Sequence, residues 1–252
     1  MKKLFKKWSP VIFIVLVLVI WEITARAAGI PGYILPLPTN IFMTLLKTLP
    51  DLWIHSAVTL KEALIGLFFS ILISIVLSVT MDGIPLIKRI LYPIIVLSQT
   101  IPIIAFAPLF VIWFGFGIVP KIIVVVLVCF FPITVSLTDG MASADKDIIN
   151  MLLSMNASKL FIFRHVKFPS AMINFFSGLR IAVTYSIMGA VIGEWLGGEK
   201  GLGVFMIRVR HTFDLEKFFA AIIVIVVLSL IMVGIVMVFE KILMPWKNKG
   251  TI

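Results

Sequence analysis

Charged residues are scarce in this sequence. Lysine, arginine, aspartate and glutamate make up 13% of its 252 residues, against roughly 25% in an average soluble domain. Hydrophobic residues make up 61%, and a soluble domain of this length has too little interior to bury that much apolar surface. The composition therefore excludes an ordinary soluble protein and indicates a chain whose solvent is a lipid bilayer.

Clusters of metal-binding and catalytic residue types are also missing. The single cysteine, Cys129, lies inside an apolar run, so it cannot form an internal disulfide, and no zinc-ligand spacing is present. The three histidines lie far apart, which disfavours a membrane enzyme. The glycine run over 197–201 lacks the spacing of a phosphate-binding loop. We therefore expect no cofactor on this chain, and any ATP hydrolysis requires a separate protein.

Six apolar segments are long enough to cross a bilayer, which takes about 20 helical residues. They run over 8–28, 57–79, 92–115, 118–137, 175–196 and 218–238. Neither an internal repeat nor a composition shift marks a second domain. We predict an all-α integral membrane protein with six transmembrane helices, forming a single permease domain over residues 1–252.

The N-terminus allows two interpretations. Four lysines in the first seven residues precede an apolar run, and Ala25-Arg26-Ala27 mimics a signal-peptide cleavage site. An uncleaved first helix is simpler, because the apolar stretch is long for a signal peptide and five more spans follow.

The basic residues predict the orientation in the membrane. With a cytoplasmic N-terminus, 14 of the 22 lysines and arginines fall on the cytoplasmic side and eight on the outer side. We therefore predict a multi-pass protein of the cell membrane with both termini in the cytoplasm. The net charge of +10 reflects these short loops rather than a nucleic-acid partner.

The longest cytoplasmic connection, residues 139–174, carries helical patterns. Residues 147–155 place apolar side chains at helical spacing. Asn156 tolerates the left-handed conformation that often ends a helix. Ser158 can cap a second short helix, which we predict to end before Pro169.

The second short helix places apolar and basic side chains in a polar loop. Phe161 and Phe163 are costly on a plain solvated loop, and Arg164 adds positive charge. Such an element is typical of a docking surface for a partner. The alternative is a helix that lies on the lipid headgroups.

This order of motifs resembles the permease subunits of bacterial binding-protein-dependent ABC importers, in the branch for nitrate, sulfonates, taurine and a thiamine pyrimidine precursor. The resemblance covers about residues 50–240. It rests on these stretches: His55 with Thr59-Leu60 and Gly66; the segment from Tyr92 to Gly117; Asn150-Met151-Leu152 with Asn156; Phe168-Pro169; Gly178-Leu179-Arg180; and Glu194 with Gly201-Leu202-Gly203. The family's glutamate, two alanines and glycine are replaced here by Asn150, Met151, Leu152 and Asn156.

The resemblance implies the MetI-like, type I ABC importer permease fold and transport by alternating access. It implies two copies of an ATPase subunit that bind ATP and magnesium, a second and identical permease copy, and an extracytoplasmic solute-binding protein. The resemblance and the helical pattern of the loop together give these candidate ATPase-coupling residues: Asn150, Asn156, Ser158, Phe161, Arg164, Pro169, Gly178 and Arg180. We expect Arg180 to anchor at the headgroups or to pair within this loop.

Several polar and small residues inside the spans are candidates for the solute pathway or for helix packing. Prolines interrupt the third segment, and such breaks often line cavities in transporters. The pathway candidates are Ser98, Gln99, Thr100 and Pro102, although the prolines also suit structural kinks. Glu194 is either a pathway carboxylate or an interfacial acid paired with Lys200. The glycines at 189, 193 and 197 form one stripe, which favours close helix packing over pathway lining.

The solute stays open at this level. A small anion such as a sulfonate, taurine or nitrate fits the resemblance, and so does a pyrimidine vitamin precursor. An ATP-independent channel is the alternative class of function, but it does not explain the helix-turn-helix loop.

Overall fold

The computed structural model describes residues 2–244, with side chains from residue 8 onward. Within this range the chain forms ten α-helices and one π-helical turn, Phe163–Lys167, between the seventh and eighth helices. The α-helices are α1 (Lys2–Ala27), α2 (Pro38–Gly83), α3 (Pro85–Ser98), α4 (Ile103–Phe114), α5 (Ile118–Ala142), α6 (Lys146–Ser154), α7 (Lys159–Ile162), α8 (Phe168–Trp195), α9 (Leu202–His211) and α10 (Leu215–Leu243).

The all-α membrane fold is confirmed. In the described part of the chain, five helical segments are long and apolar enough to cross a membrane, and a bent pair makes a sixth. Five predicted spans lie within α1, α2, α5, α8 and α10, apart from one or two residues at their ends. The helix α2 has 46 residues, so at about 1.5 Å per residue it extends well past a hydrocarbon core of about 30 Å. The first half of α2 covers residues that we predicted to be a connection between the first two spans.

The third span differs from the prediction of one segment over 92–115. It is broken between α3 and α4, which meet at an angle of 101°. Of the three prolines in this region, Pro93 and Pro108 lie inside helices, and only Pro102 stands at the break. Pro102 adopts an extended conformation and precedes the first residue of α4, where its missing N–H costs nothing.

The core of the bundle lies where α5 and α8 run antiparallel and in close contact. Glycines fill this contact, which we call the small-residue seam. A methyl group at Gly189 would lie 2.6 Å from the Val128 side chain, and one at Gly193 would lie 2.9 Å from Cα of Lys121. Only hydrogen atoms fit between the helices at these two positions, which is the close approach that small residues permit.

Gly178 belongs to the same seam. A Cβ there would lie 2.6 Å from the carbonyl oxygen of Pro132. The sequence placed Gly178 with the coupling loop, but the structure places it about three turns inside α8. Gly197, the last glycine of the predicted stripe, lies beyond the end of α8 and faces the ring of Phe116 instead of α5.

The predicted end of the second loop helix before Pro169 is wrong. The chain stays helical from Lys159 to Trp195, because the π-helical turn carries α7 into α8. The Phe168 N–H donates to the carbonyl of Phe163, five residues back. This wider turn and the place of Pro169 in the first turn of α8 accommodate the proline, which an ordinary helix interior does not.

Exchange of Gly178 for alanine tests the seam. We expect Gly178→Ala to lower the free energy of unfolding by about 1–3 kcal/mol, since the methyl group forces the two backbones apart. Gly234→Ala is the matched control, because Gly234 also lies inside a spanning helix and its added methyl meets no atom within 4 Å. Thermal unfolding of both variants in one detergent gives the comparison, and equal stability would contradict the seam.

Candidate functional site

The α6–α7 hairpin is built from three local signals in the sequence. The Asp145 carboxylate accepts hydrogen bonds from the N–H groups of residues 147 and 148 and so caps α6. Asn156 has a φ of 63°, the left-handed conformation expected for it. The N–H groups of Asn156 and Ala157 donate to the carbonyls of Leu153 and Leu152, each at 2.9 Å. This pair of bonds closes the end of α6.

The second arm of the hairpin begins at Ser158, as predicted. Its hydroxyl oxygen accepts a hydrogen bond from the Phe161 N–H at 3.2 Å. Phe161 is exposed and stacks on His165, with 4.2 Å between the ring centroids. Asn150 and Arg164 are exposed as well.

The hairpin presents apolar side chains rather than burying them. No residue of α6 is buried, within the part of the chain that the structure describes. The exposed apolar side chains are Ile148, Met151, Leu153, Met155, Leu160 and Phe161. Leu160 is 74% exposed. This is a surface prepared for a lipid or protein partner.

An ion pair fixes the hairpin to the bundle. Lys167, in the π-helical turn, donates to both carboxylate oxygens of Asp82 at the end of α2, at 2.8 and 3.0 Å. The Tyr92 hydroxyl donates to Asp139 at 2.8 Å, which joins α3 to α5. These contacts define the hairpin end of the bundle.

Arg180 does not take part in the hairpin, and the expected pairing there is wrong. It lies three turns inside α8 and donates to Glu240 of α10 at 2.8 Å. The motif Gly178-Leu179-Arg180 could not predict this partner, because Arg180 and Glu240 are 60 positions apart in the sequence.

A cavity of about 660 Å³, which we call the midspan cavity, lies where the break between α3 and α4 faces α5 and α8. Its polar lining consists of Gln99, Ser136 and Tyr185. The rest of its lining is apolar or aromatic, with Phe131 the largest of these side chains, and it holds no lysine, arginine, aspartate or glutamate.

Only one of these four predicted pathway residues lines the midspan cavity. Gln99 lines the midspan cavity, whereas Ser98, Thr100 and Pro102 do not. The hydroxyls of Ser98 and Thr100 donate to carbonyls three residues back, at 2.8 and 2.7 Å. They therefore satisfy backbone groups at the break rather than present donors to a solute.

Glu194 lies at the opposite end of the bundle, in a buried polar cluster of five side chains. They are His55, Thr59, Glu62, Lys121 and Glu194. Glu194 is 1% exposed, accepts from the Thr59 hydroxyl at 2.6 Å and from the Gly203 N–H at 2.6 Å. It is neither an interfacial acid paired with Lys200 nor part of the midspan lining.

The cluster holds the first turn of α9. The Gly201 N–H donates to His55 Nδ1 at 3.0 Å, and the Leu202 N–H donates to the Thr59 hydroxyl at 2.8 Å. With Glu194 on Gly203, three successive N–H groups that the helix itself leaves without partners are satisfied. We call this side of the bundle the α9 end.

Lys121 completes the cluster from α5. Its ammonium donates to Glu62 at 2.8 Å, and both side chains are buried. Neither residue was singled out from the sequence as a site. The signal was present, because His55, Thr59 and Glu62 are spaced by four and three residues and so share one face of α2.

Comparison with known proteins identifies the family. The model for the inner membrane component of binding-protein-dependent transport systems matches residues 70–243, more than half of the chain. The chain belongs to this family. It is the permease subunit of an ATP-binding-cassette importer, a multi-pass protein of the cell membrane, and its family implies an ATPase and a solute-binding protein as partners.

Individual relatives narrow the branch. The chain is 40% identical over 250 residues to the formylaminopyrimidine transport permease protein ThiX of Halalkalibacterium halodurans, covering 99% of this chain and 100% of the relative. It is 30% identical to the riboflavin transport system permease protein RibX of Chloroflexus aurantiacus, covering 93% and 88%. It is 28% identical to the taurine transport system permease protein TauC of Escherichia coli, covering 92% and 87%.

A solved structure supports the fold. The crystal structure of an amino acid ABC transporter with histidines matches with a TM-score of 0.65 at 16% identity, over 79% of this chain and 97% of that chain. The type I importer permease fold is thereby confirmed.

Glu194→Gln tests the role of the buried cluster. The amide keeps one acceptor oxygen but turns an NH₂ group toward the second donor, so a buried N–H of α9 loses its acceptor, at a cost of about 1–3 kcal/mol. We expect the amide hydrogens of Leu202 and Gly203 to exchange roughly tenfold faster or more in hydrogen–deuterium exchange. Glu216→Gln is the control, since Glu216 bonds Asn40 and Thr44 at the same end. Unchanged exchange at Gly203 would contradict the assignment.

Proposed function

We propose that this permease carries a small, uncharged, aromatic heterocycle of the formylaminopyrimidine type. The observation that carries the proposal is the uncharged lining of the midspan cavity, with Phe131 and Tyr185 as aromatic walls. Gln99 and Ser136 supply donors and acceptors of the kind that orient a pyrimidine. The 40% identity to a formylaminopyrimidine permease supports the same class of solute.

An anionic solute fits this lining less well. A sulfonate or nitrate that leaves water needs a cation or several N–H donors to replace its hydration. The midspan cavity offers neither a lysine nor an arginine. The taurine permease among the relatives is also less similar, at 28% identity.

The hairpin end faces the cytoplasm, with the ATPase docked on the α6–α7 hairpin. The exposed apolar side chains of α6 and α7 supply the apolar contact, and Arg164 and Lys159 supply positive charge at its edge. Asn150, Asn156, Ser158, Phe161, Arg164 and Pro169 belong to this contact or shape it. Two ATPase copies bind ATP and magnesium, and the energy of ATP binding moves the hairpin.

A second copy of this chain covers the open side of the midspan cavity. Ile181, Tyr185 and Met188 lie on one face of α8 and are exposed, and Ile101 and Ile104 are exposed beside them. A closed pathway requires another helical bundle against this face, and a twofold homodimer is the simplest arrangement that supplies it.

Uptake by cells that express the permease with its ATPase and binding protein tests the solute class. We expect saturable uptake of labelled formylaminopyrimidine and none of taurine. Gln99→Ala is expected to reduce the uptake rate about tenfold, since it removes a hydrogen bond worth about 1–2 kcal/mol. Thr100→Ala, one residue further, is the matched control, because Thr100 does not line the cavity.

Two outcomes would contradict the proposed solute. Uptake of taurine in preference to the pyrimidine would favour the anion class. Equal uptake by the Gln99 and Thr100 variants would remove Gln99 from the pathway.

Leu160→Asp tests the docking surface. We expect the ATPase to be lost when the tagged permease variant is purified, because a carboxylate in an apolar contact loses its hydration without a partner. Leu86→Asp is the matched control, since Leu86 is exposed at the hairpin end but lies outside the hairpin. Quantitative mass spectrometry of the purified complexes gives the ratio of ATPase to permease. Retention of the ATPase by Leu160→Asp would place docking elsewhere.

A further inference from the structure

A second cavity opens at the α9 end of the bundle. It has a volume of about 630 Å³ and lies between the loop that joins α4 to α5 and the loop that joins α8 to α9. We call it the α9-end cavity. Its lining includes Phe116, Lys121, Gly197 and Gly198, and at its exposed rim the oppositely charged neighbours Glu199 and Lys200.

Lys121 brings a buried ammonium group to the wall of this cavity. The residue is 5% exposed, and among the described residues its hydrogen bond goes to Glu62 at 2.8 Å. An ammonium has three N–H donors, so this bond leaves capacity for an acceptor on a molecule in the cavity. Glu62 balances the charge of Lys121, and Glu199 stands beside Lys200 in the same lining. With no surplus positive charge, the cavity favours a neutral acceptor such as a carbonyl or a ring nitrogen over an anion.

Phe116 supplies an exposed ring beside the ammonium. It is 82% exposed. Its neighbours Gly115 and Gly117 have φ values of 75° and 142°, conformations that favour glycine. The backbone therefore turns sharply on both sides of the ring and holds it outward.

Two glycines form the opposite wall of the α9-end cavity, which therefore carries no side chain at these positions. A Cβ at Gly197 would lie 2.8 Å from the Phe116 ring, and a Cβ at Gly198 would lie 2.8 Å from Nζ of Lys121. Any other residue at these positions would push against the two groups that a ligand would contact. The cavity therefore depends on both glycines.

An apolar cluster separates this cavity from the midspan cavity. Ala107 and Phe110 of α4 pack against Val124 of α5, with Ile192 and Leu196 of α8 beside them. Along α5, Val124 lies between Lys121 at the α9-end cavity and Val128 at the midspan cavity. Both cavities are therefore lined in part by α5 and lie on either side of an apolar layer.

We propose that the α9-end cavity is an entry subsite that holds the solute before it reaches the midspan cavity. The ligand is a planar heterocycle whose face stacks on Phe116 and whose carbonyl or ring nitrogen accepts from Lys121. This inference rests on the proposed function, because the pyrimidine class supplies both the flat face and the acceptor.

Phe116→Leu tests the subsite through transport kinetics. Stacking on an aromatic ring is worth about 1–3 kcal/mol per base, so we expect uptake at limiting loaded binding protein to fall about tenfold, with little change in the maximal rate. Phe116→Trp keeps a flat ring and is expected to retain uptake. Phe42→Leu is the matched control, as Phe42 is an exposed aromatic residue near the start of α2, at the same end.

Gly198→Ala tests the opposite wall independently. Its methyl group displaces the Lys121 ammonium, and we expect a loss similar to that of Phe116→Leu. Gly32→Ala is the control, since a methyl at Gly32 meets no atom within 4 Å. All variants are compared at equal amounts of assembled permease and ATPase, measured on the purified complexes.

The results separate this proposal from the proposed function. If the unmodified complex fails to take up formylaminopyrimidine, the proposed function is wrong before any variant is compared. If the unmodified complex transports formylaminopyrimidine and both Phe116→Leu and Gly198→Ala transport it as fast as the unmodified complex does, the entry subsite is overturned. Loss in both variants with retention in Phe116→Trp supports the subsite.

Discussion

The close contact between α5 and α8 determines where everything else in the bundle lies. Lipid chains are as apolar as leucine, so helices in a bilayer gain little by hiding apolar surface from each other. What holds α5 to α8 is dispersion between backbones that approach closely, and Gly178, Gly189 and Gly193 permit that approach. The midspan cavity is lined by both helices, and the α9-end cavity by the start of α5 and the loop that follows α8. The distance between α5 and α8, which the glycines set, therefore determines the positions of the walls of both cavities.

The helical segment that contains α8 also connects the two ends of the molecule. Residues 159–195 form one helical segment, about 55 Å long at 1.5 Å per residue. Its first turns belong to the α6–α7 hairpin, its middle carries Tyr185 at the midspan cavity, and its last turn carries Glu194. The hairpin and a wall of the midspan cavity therefore belong to one helical segment. The π-helical turn at 163–167 is the one departure from regular α-helix along this segment, which makes it the natural place for bending.

The sequence alone predicted what depends on neighbours along the chain. Apolar runs predicted the spans, and the hairpin followed from Asn156 and Ser158, because turn and cap chemistry acts over three or four residues. It did not predict contacts between distant positions. Thr59 and Glu194 are 135 residues apart, and Arg180 and Glu240 are 60 apart, so no periodicity relates them. The position of the break at Pro102 was not predicted either. Three prolines in the segment were equally good candidates, and only the packing of the helices selects among them.

The hairpin keeps its backbone geometry although four residues of the family motif are replaced. Asn156 stands where the family has glycine, yet it adopts the left-handed φ of 63° and both hydrogen bonds that close α6 are formed. The backbone of the hairpin is thus preserved at a cost of about 1 kcal/mol. Asn150, Met151 and Leu152 change only the surface of α6, which becomes less acidic and bulkier. The hairpin therefore retains its backbone shape, and the replaced residues alter only the chemistry of the surface that it presents.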